Sequence, residues 1–197
     1  MEEAKSSPRA AADARQGAKQ HNEDAFLLFQ SPGGRLVAGG VFDGHGGLNG
    51  RLAASVARDT ALAFFEALGD VGTGFSESQW KTKLEDLFAG MQTAIREAFL
   101  RQDPVARGPA PRRAYRKDPE LKRSDSPPGS VLHDDRGVVR RHNGYPVHGG
   151  TTATLCVVLA LEDGSKSVVC ANVGDSDAIL FFSDNRWKRL SVVGLLC

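Results

Sequence analysis

The chain has 197 residues, of which 41% are hydrophobic and 25% are charged, and its formal net charge is +1. These values fit a globular domain, and the nearly balanced charge makes nucleic acid an unlikely partner. The chain has no apolar run of the roughly 20 residues that a membrane-spanning helix needs, and its first residues lack an apolar signal core. We therefore expect a soluble intracellular protein, cytoplasmic or nuclear, with no membrane partner.

The amino-terminal part of the chain predicts a disordered segment followed by a β-hairpin. Residues 1–16 are rich in small and charged side chains, which is typical of disorder. Two apolar runs follow at 25–29 and 35–42, separated by the turn sequence Ser-Pro-Gly-Gly. We expect the second strand to end at Asp43, because three of the next four residues are glycines that permit a tight turn.

Two amphipathic helices are predicted next. In residues 48–68 a leucine, valine and phenylalanine face recurs at spacings of four or eight: Leu48, Leu52, Val56, Phe64 and Leu68. After a glycine-rich break, Ser76 and Gln79 have the spacing of a helix capping box. A second apolar stripe follows it: Trp80, Leu84, Leu87, Phe88, Met91, Ile95, Ala98 and Phe99. Core packing explains such stripes better than a cofactor site.

Residues 103–147 break this regular pattern. The segment holds seven of the nine prolines, and between Arg101 and His148 there are eleven Lys/Arg against six Asp/Glu, a net charge of +5. A stretch of this length without periodicity predicts a disordered basic insertion. It is either a solvated loop that binds nothing specific or a docking or phosphorylation segment, and it lacks the interleaved aromatic residues of single-strand nucleic-acid binding.

Regular structure resumes after the insertion as a series of strands. β-branched and apolar runs occupy 151–161, 167–173 and 177–182, with turn signals between them. Several positions in succession are apolar, which favours strands covered on both faces. Cys156 and Cys170 fall in these runs, and the three cysteines lack metal-site spacing, so we expect buried free thiols in a reducing compartment. Together the elements predict an α/β fold of the α+β type with antiparallel strands.

Carboxylates near the two strand ends suggest a divalent-metal site. Mg²⁺ and Mn²⁺ prefer oxygen ligands, and a pair of such ions needs one bridging carboxylate with others beside it. Asp43, with the carbonyl of Gly44, suits the bridging position, and Glu23 suits the second ion. Asp24 points to the other face of an extended segment and is assigned a supporting role beside the ligands. His45 is a candidate proton donor to a leaving alkoxide. Taken singly, each of these residues is more often an ordinary turn or surface residue.

Four motifs in order make the pattern more specific. They are Asn-Glu-Asp-Ala at 22–25, Phe-Asp-Gly-His-Gly at 42–46, Gly-Thr-Thr-Ala at 150–153 and Gly-Asp-Ser at 174–176. In this order they resemble the amino-terminal part of a PPM-type (metal-dependent, type 2C) protein serine/threonine phosphatase. The resemblance covers residues 17–192 apart from the insertion. It implies an antiparallel β-sandwich flanked by helices, and hydrolysis of phosphoserine and phosphothreonine on phosphoprotein substrates by a metal-activated water.

The resemblance also implies roles for individual residues. Asp43 would bridge two Mg²⁺ or Mn²⁺ ions, Glu23 and the Gly44 carbonyl would serve one ion, and His45 would assist the leaving group. Lys19 stands where the family usually has an arginine that binds the substrate phosphate, so a bidentate contact is replaced by a point charge. The third motif is preceded by Pro-Val-His, without the aspartate that many members carry there.

The match to the family pattern ends at Val193, and residues 193–197 form a non-homologous tail. The family pattern continues with further aspartates that bind the second ion. We therefore expect a truncated phosphatase domain of doubtful activity. The alternative is a non-catalytic phosphatase-like fragment that acts as a binding or decoy module, and a nucleic-acid-binding role based on the basic insertion is the weakest option.

Overall fold

The computed structural model describes residues 10–15, 22–101, 131–133, 139–141 and 147–191. Two long helices lie in the first half, α1 (Leu48–Leu68) and α2 (Glu77–Arg101). The strands are β1 (Ala25–Gln30), β2 (Leu36–Phe42), β3 (Gly44–His45), β4 (Val131–His133), β5 (Val139–Arg141), β6 (Gly150–Thr151), β7 (Ala153–Ala160), β8 (Lys166–Val173), β9 (Ile179–Phe181) and β10 (Trp187–Arg189). The tail, most of the insertion and most of the amino-terminal segment lie outside the described residues.

The central sheet has four antiparallel strands in the order β1-β2-β7-β8. The predicted hairpin forms β1 and β2, and β7 pairs antiparallel with the other edge of β2, although both helices lie between the two strands in the sequence. Three two-stranded ladders accompany this sheet: β3 with β6, β4 with β5, and β9 with β10. The predicted α+β fold with antiparallel strands and flanking helices is confirmed.

The main core lies between one face of the central sheet and the two helices. Its largest fully buried side chains come from β2, α1, α2 and β7: Leu36, Phe42, Phe65, Trp80, Leu155 and Val157. The alternating burial of β7, in which every second residue is buried, shows that one face of this strand packs on the helices. The core therefore depends on contacts between the first and last thirds of the chain.

Helix α1 begins and ends where the periodicity predicts, but a different face is buried. Its buried residues are Gly50, Ala53, Ala54, Ala57, Ala61 and Phe65. The predicted contact face is only partly covered, and Leu48 is 54% exposed. Alanine side chains let the helix axis approach the sheet and α2 closely, so the small-residue face packs better than the face with larger side chains.

Helix α2 agrees with the sequence-based prediction. Ser76 Oγ accepts a hydrogen bond from Gln79 N at 3.3 Å, and Gln79 Oε1 accepts one from Ser76 N at 2.8 Å, which completes the capping box. Most of the predicted stripe is buried, including Trp80 and Phe99. None of the helices in the described ranges is long and apolar enough to cross a membrane.

The end of α1 is tied to the turn between β1 and β2 by Asp70. Its carboxylate accepts hydrogen bonds from the Ser31 hydroxyl and, at 2.7 Å, from Gly33 N. The hydroxyl bond is the main reason why the pKa of Asp70 lies below its ordinary value, and the backbone bond adds to it. This contact fixes the hairpin against the helix.

The outer face of the central sheet is only partly covered by the described residues. Phe26, Leu28 and Val41 on this face are 42%, 39% and 46% exposed. For the strands after the insertion, the successive apolar residues predicted cover on both faces. In β7, Cys156, Val158 and Ala160 on the side away from the helices are only partly buried by the described residues.

Candidate active site

The candidate site lies where β2 ends and α1 begins. Asp43 stands between β2 and the two-residue strand β3, and α1 starts three residues after His45. Strand β3 pairs with β6, with Gly44 opposite Thr151 and His45 opposite Gly150. This pairing brings the Gly-Thr-Thr-Ala motif from the far side of the insertion to the Asp43 turn.

Thr152 holds the backbone of Asp43 on both sides. Its hydroxyl accepts a hydrogen bond from Asp43 N at 3.1 Å, and its own backbone N donates to Asp43 O at 2.9 Å. The Asp43 residue itself is exposed. The two bonds fix the position from which the Asp43 carboxylate projects, so the third motif acts by orienting the second.

The Gly-Asp-Ser motif supports Thr152 in turn. The hydroxyl of Ser176 lies 2.6 Å from the Thr152 hydroxyl, and Thr154 Oγ1 donates to Ser176 O at 2.8 Å. Asp175, which the sequence did not assign as a ligand, is exposed. The sequence identified these motifs, but it did not predict the chain of contacts from Ser176 through Thr152 to Asp43.

The segment after Ser176 is anchored by Asp177. Its carboxylate accepts hydrogen bonds from Arg189 Nε at 2.8 Å and from Ser191 Oγ at 2.9 Å. The Arg189 guanidinium, followed by the Ser191 hydroxyl, holds the pKa of Asp177 below its ordinary value. These bonds join the end of β10 to the segment after β8 that carries Ser176.

Glu23 lies on the other side of the Asp43 turn, against the first turn of α1. Its Oε2 accepts a hydrogen bond from Gly47 N at 2.7 Å. The partial positive charge of a helix amino terminus stabilises a carboxylate placed there. The bond occupies one of the two carboxylate oxygens, and Glu23 is only partly exposed. The Glu23 side chain is therefore oriented by α1 next to the Asp43 turn.

Gly44 is required by the close approach of three backbone segments. A Cβ atom at this position would lie 2.2 Å from Glu23 O and 2.6 Å from Gly50 O. Any side chain there would push Glu23 away from the start of α1. Gly46, with φ of +105°, adopts a conformation that L-residues with side chains rarely adopt, and it turns the chain into α1.

Two histidines flank the turn. The rings of His45 and His148 meet edge to face with centroids 6.0 Å apart, and both residues are exposed. Asn49 Nδ2 donates to His148 O at 2.7 Å, which fixes the segment before β6 against α1. His148 was noted in the sequence only as a departure from the family pattern, and its proximity to His45 was not predicted.

Asp24, which the sequence assigns a supporting role beside the ligands, is exposed. It lines a groove of about 530 Å³ together with Arg51 and Arg58 of α1. Arg58 also forms an ion pair with Asp59. Neither Glu23 nor Asp43 is among the residues that line this groove. Lys19, the predicted phosphate-binding residue, lies outside the described residues.

The oxygen donors around the turn are of the kind that a hard divalent cation binds. Glu23 and Asp43 supply carboxylates and Gly44 supplies a carbonyl, all close to the amino terminus of α1. The described ranges contain no group of three or more His, Cys, Asp or Glu side chains that could hold a metal ion. The described residues thus fit part of a metal site, with two carboxylates and backbone oxygen.

Comparison with known proteins adds one finding. A family model described as "Protein phosphatase 2C" matches residues 9–193, almost the whole chain. A search of curated proteins finds no match.

Proposed function

Because this chain belongs to the protein phosphatase 2C family, we propose that it forms a metal-dependent protein serine/threonine phosphatase domain. Family membership supports hydrolysis of phosphoproteins in general. The finer proposal is that phosphoserine and phosphothreonine esters are the substrates. The proposed location is the cytoplasm or nucleus, where cysteines such as those of this chain remain reduced.

The observation that carries the proposal is the held position of Asp43. The Thr152 hydroxyl and backbone N each make one hydrogen bond to its backbone, at 3.1 Å and 2.9 Å. Glu23 is fixed beside it by its bond to Gly47 N. A turn that only connects two elements needs neither an exposed carboxylate nor this number of constraints, whereas a ligand site benefits from both.

We propose that Glu23, Asp43 and the Gly44 carbonyl hold Mg²⁺ or Mn²⁺. When bound, such ions supply Lewis-acid stabilisation of a phosphoryl group and lower the pKa of a coordinated water. Asp24 supports the ligands from the neighbouring position. His45 is placed two residues from Asp43 on the exposed side of β3, where its imidazole can donate a proton to the leaving alkoxide. Lys19 is proposed to attract the substrate phosphate.

The test is Mn²⁺-dependent release of phosphate from a phosphothreonine peptide. We compare the wild-type chain with Asp43→Asn, which removes the proposed ligand charge with little change in shape. Asp175→Asn is the matched control, because Asp175 is also an exposed aspartate beside a glycine but is not a proposed ligand. Activity lost only in Asp43→Asn supports the proposal. Equal activity in the wild type and the Asp43→Asn variant, both shown to be folded by circular dichroism, contradicts it.

A second candidate function is a non-catalytic module that binds phosphoproteins. It is favoured by the absence of a group of three metal-binding side chains in the described ranges. Docking would then use the basic segment 103–147. Capture of a phosphopeptide that survives chelation of metals, but is lost on deletion of 103–147, would favour this candidate. Capture that needs Mn²⁺ and survives the deletion would favour the enzyme.

A further inference from the structure

Two cysteines face each other across neighbouring strands of the central sheet. Cys156 of β7 and Cys170 of β8 are register partners, and their sulfur atoms lie 3.3 Å apart. Both are free thiols. Both are half-buried, whereas the sequence-based expectation was that they would be buried. Cys197, the third cysteine, lies outside the described residues.

The backbone geometry is already compatible with a covalent link. Register partners in an antiparallel sheet have Cα atoms about 4.5–5.5 Å apart. Disulfides span Cα separations of about 4.4–6.8 Å. To reach a bond length of about 2.05 Å, the two sulfur atoms need to approach by little more than about 1 Å. Side-chain rotation can supply this movement, so neither strand has to change its register.

The pair lies on the accessible side of the sheet. On β7, Leu155 and Val157 are buried against the helices, so Cys156 between them points to the outer face, which is only partly covered by the described residues. Cys156 lines a cavity of about 430 Å³ on that face, together with Phe26 and Val41. A small oxidant can therefore reach the sulfur of Cys156 without opening the core.

The two thiols differ in acidity because they share a hydrogen bond. The bond to Cys170 lowers the pKa of Cys156, since a thiol that keeps its proton donates to a neighbouring thiolate. The same contact, with burial, raises the pKa of Cys170. Because the thiolate is the form that attacks an oxidant, the lowered pKa favours Cys156 as the first sulfur to react, with Cys170 in contact to complete a disulfide.

We propose that Cys156 and Cys170 form a redox modification site that peroxides convert reversibly into an intramolecular disulfide. The Cys156 thiolate attacks one peroxide oxygen, breaks the O–O bond and becomes a sulfenic acid, and the released hydroxide takes up a proton to become water. The Cys170 sulfur then attacks the Cys156 sulfur, the S–O bond breaks, and the oxygen leaves as a second water with the Cys170 proton. The two thiols are oxidised by two electrons and the peroxide is reduced by two.

The experiment treats the purified, reduced full chain with hydrogen peroxide and counts free thiols. We expect two of the three thiols to be lost, with the loss of two hydrogen atoms from the intact mass and full recovery in dithiothreitol. A non-reducing digest should contain one peptide that links Cys156 to Cys170. Cys197→Ser is the matched control and should form the same link, whereas Cys156→Ser and Cys170→Ser should not.

Three experimental outcomes would overturn the proposal. A link that includes Cys197, in place of the pair on β7 and β8, would overturn the proposal. So would irreversible gain of oxygen at Cys156 with Cys170 still free. Repeating the oxidation in urea tests the role of the fold, because in an unfolded chain only the shorter loop between Cys156 and Cys170 favours this pair. The same pairing yield in urea as in the native protein would also overturn it.

Discussion

Thr152→Val is the substitution that tests how the site is built. Valine keeps the β-branched shape and removes only the hydroxyl. That hydroxyl accepts from Asp43 N and bonds the Ser176 hydroxyl, at 3.1 Å and 2.6 Å. Each such bond contributes about 0.5–1.5 kcal/mol net, so we expect the free energy of unfolding to fall by about 1–3 kcal/mol.

Stability alone does not separate a positioning role from a structural one, so Mn²⁺ affinity is the deciding measurement. Residues that orient metal ligands typically change affinity by about 10–100-fold when they are replaced. We expect a loss in this range for Thr152→Val, measured by isothermal titration calorimetry, together with urea unfolding. The prediction rests on the proposed function, in which Asp43 is a metal ligand.

Thr154→Val is the control for this experiment. Thr154 lies on the same strand and its hydroxyl donates to Ser176 O at 2.8 Å, but it makes no hydrogen bond to Asp43. This variant should lose about 0.5–1.5 kcal/mol, from that one hydrogen bond, and keep its Mn²⁺ affinity. Equal affinities in the two variants would refute the positioning role of Thr152. A wild-type chain that binds no Mn²⁺ would instead refute the proposed metal site.

Three further predictions follow from the surroundings of two glycines, the contacts of Asp70 and the cysteine pair. Gly44→Ala should lower the free energy of unfolding by at least about 2 kcal/mol, because its Cβ would lie 2.2 Å from Glu23 O; Gly90→Ala, in the interior of α2 with open space around it, should raise it by about 0.5–1 kcal/mol in the same urea titration. The lowered pKa of Asp70 means that its stabilising contribution is fully present above its ordinary pKa of about 4 and is lost as the pH falls through the lower folded-state value. Melting curves between neutral pH and strong acid should therefore show a smaller decrease for Asp70→Asn than for the wild type, and parallel curves would contradict this. Oxidation of Cys156 and Cys170 should stabilise the chain by up to about 3 kcal/mol, because the link closes a short loop in the unfolded state; a midpoint in urea that is unchanged or lower after oxidation would count against an unstrained link.

The local sequence pattern was sufficient to predict much of this fold. Both bounds of α1 and the capping box of α2 are as predicted, because helix ends depend on neighbouring residues. The position of Asp43 at the end of β2 also followed from an apolar run stopped by glycines. For the same reason, the residues of the candidate site could be selected from their motifs before any contact was known.

Tertiary packing decided which faces and which distant groups meet. Periodicity alone favoured the leucine face of α1, whereas close packing against the sheet selected its alanine face. Thr152 is separated from Asp43 by 109 residues along the chain, and nothing local to either motif indicates their hydrogen bonds. The opposition of Cys156 and Cys170 likewise depends on the register between β7 and β8. Local sequence determines the period in which side chains alternate, but the partner that each side chain reaches depends on how separate segments pack together.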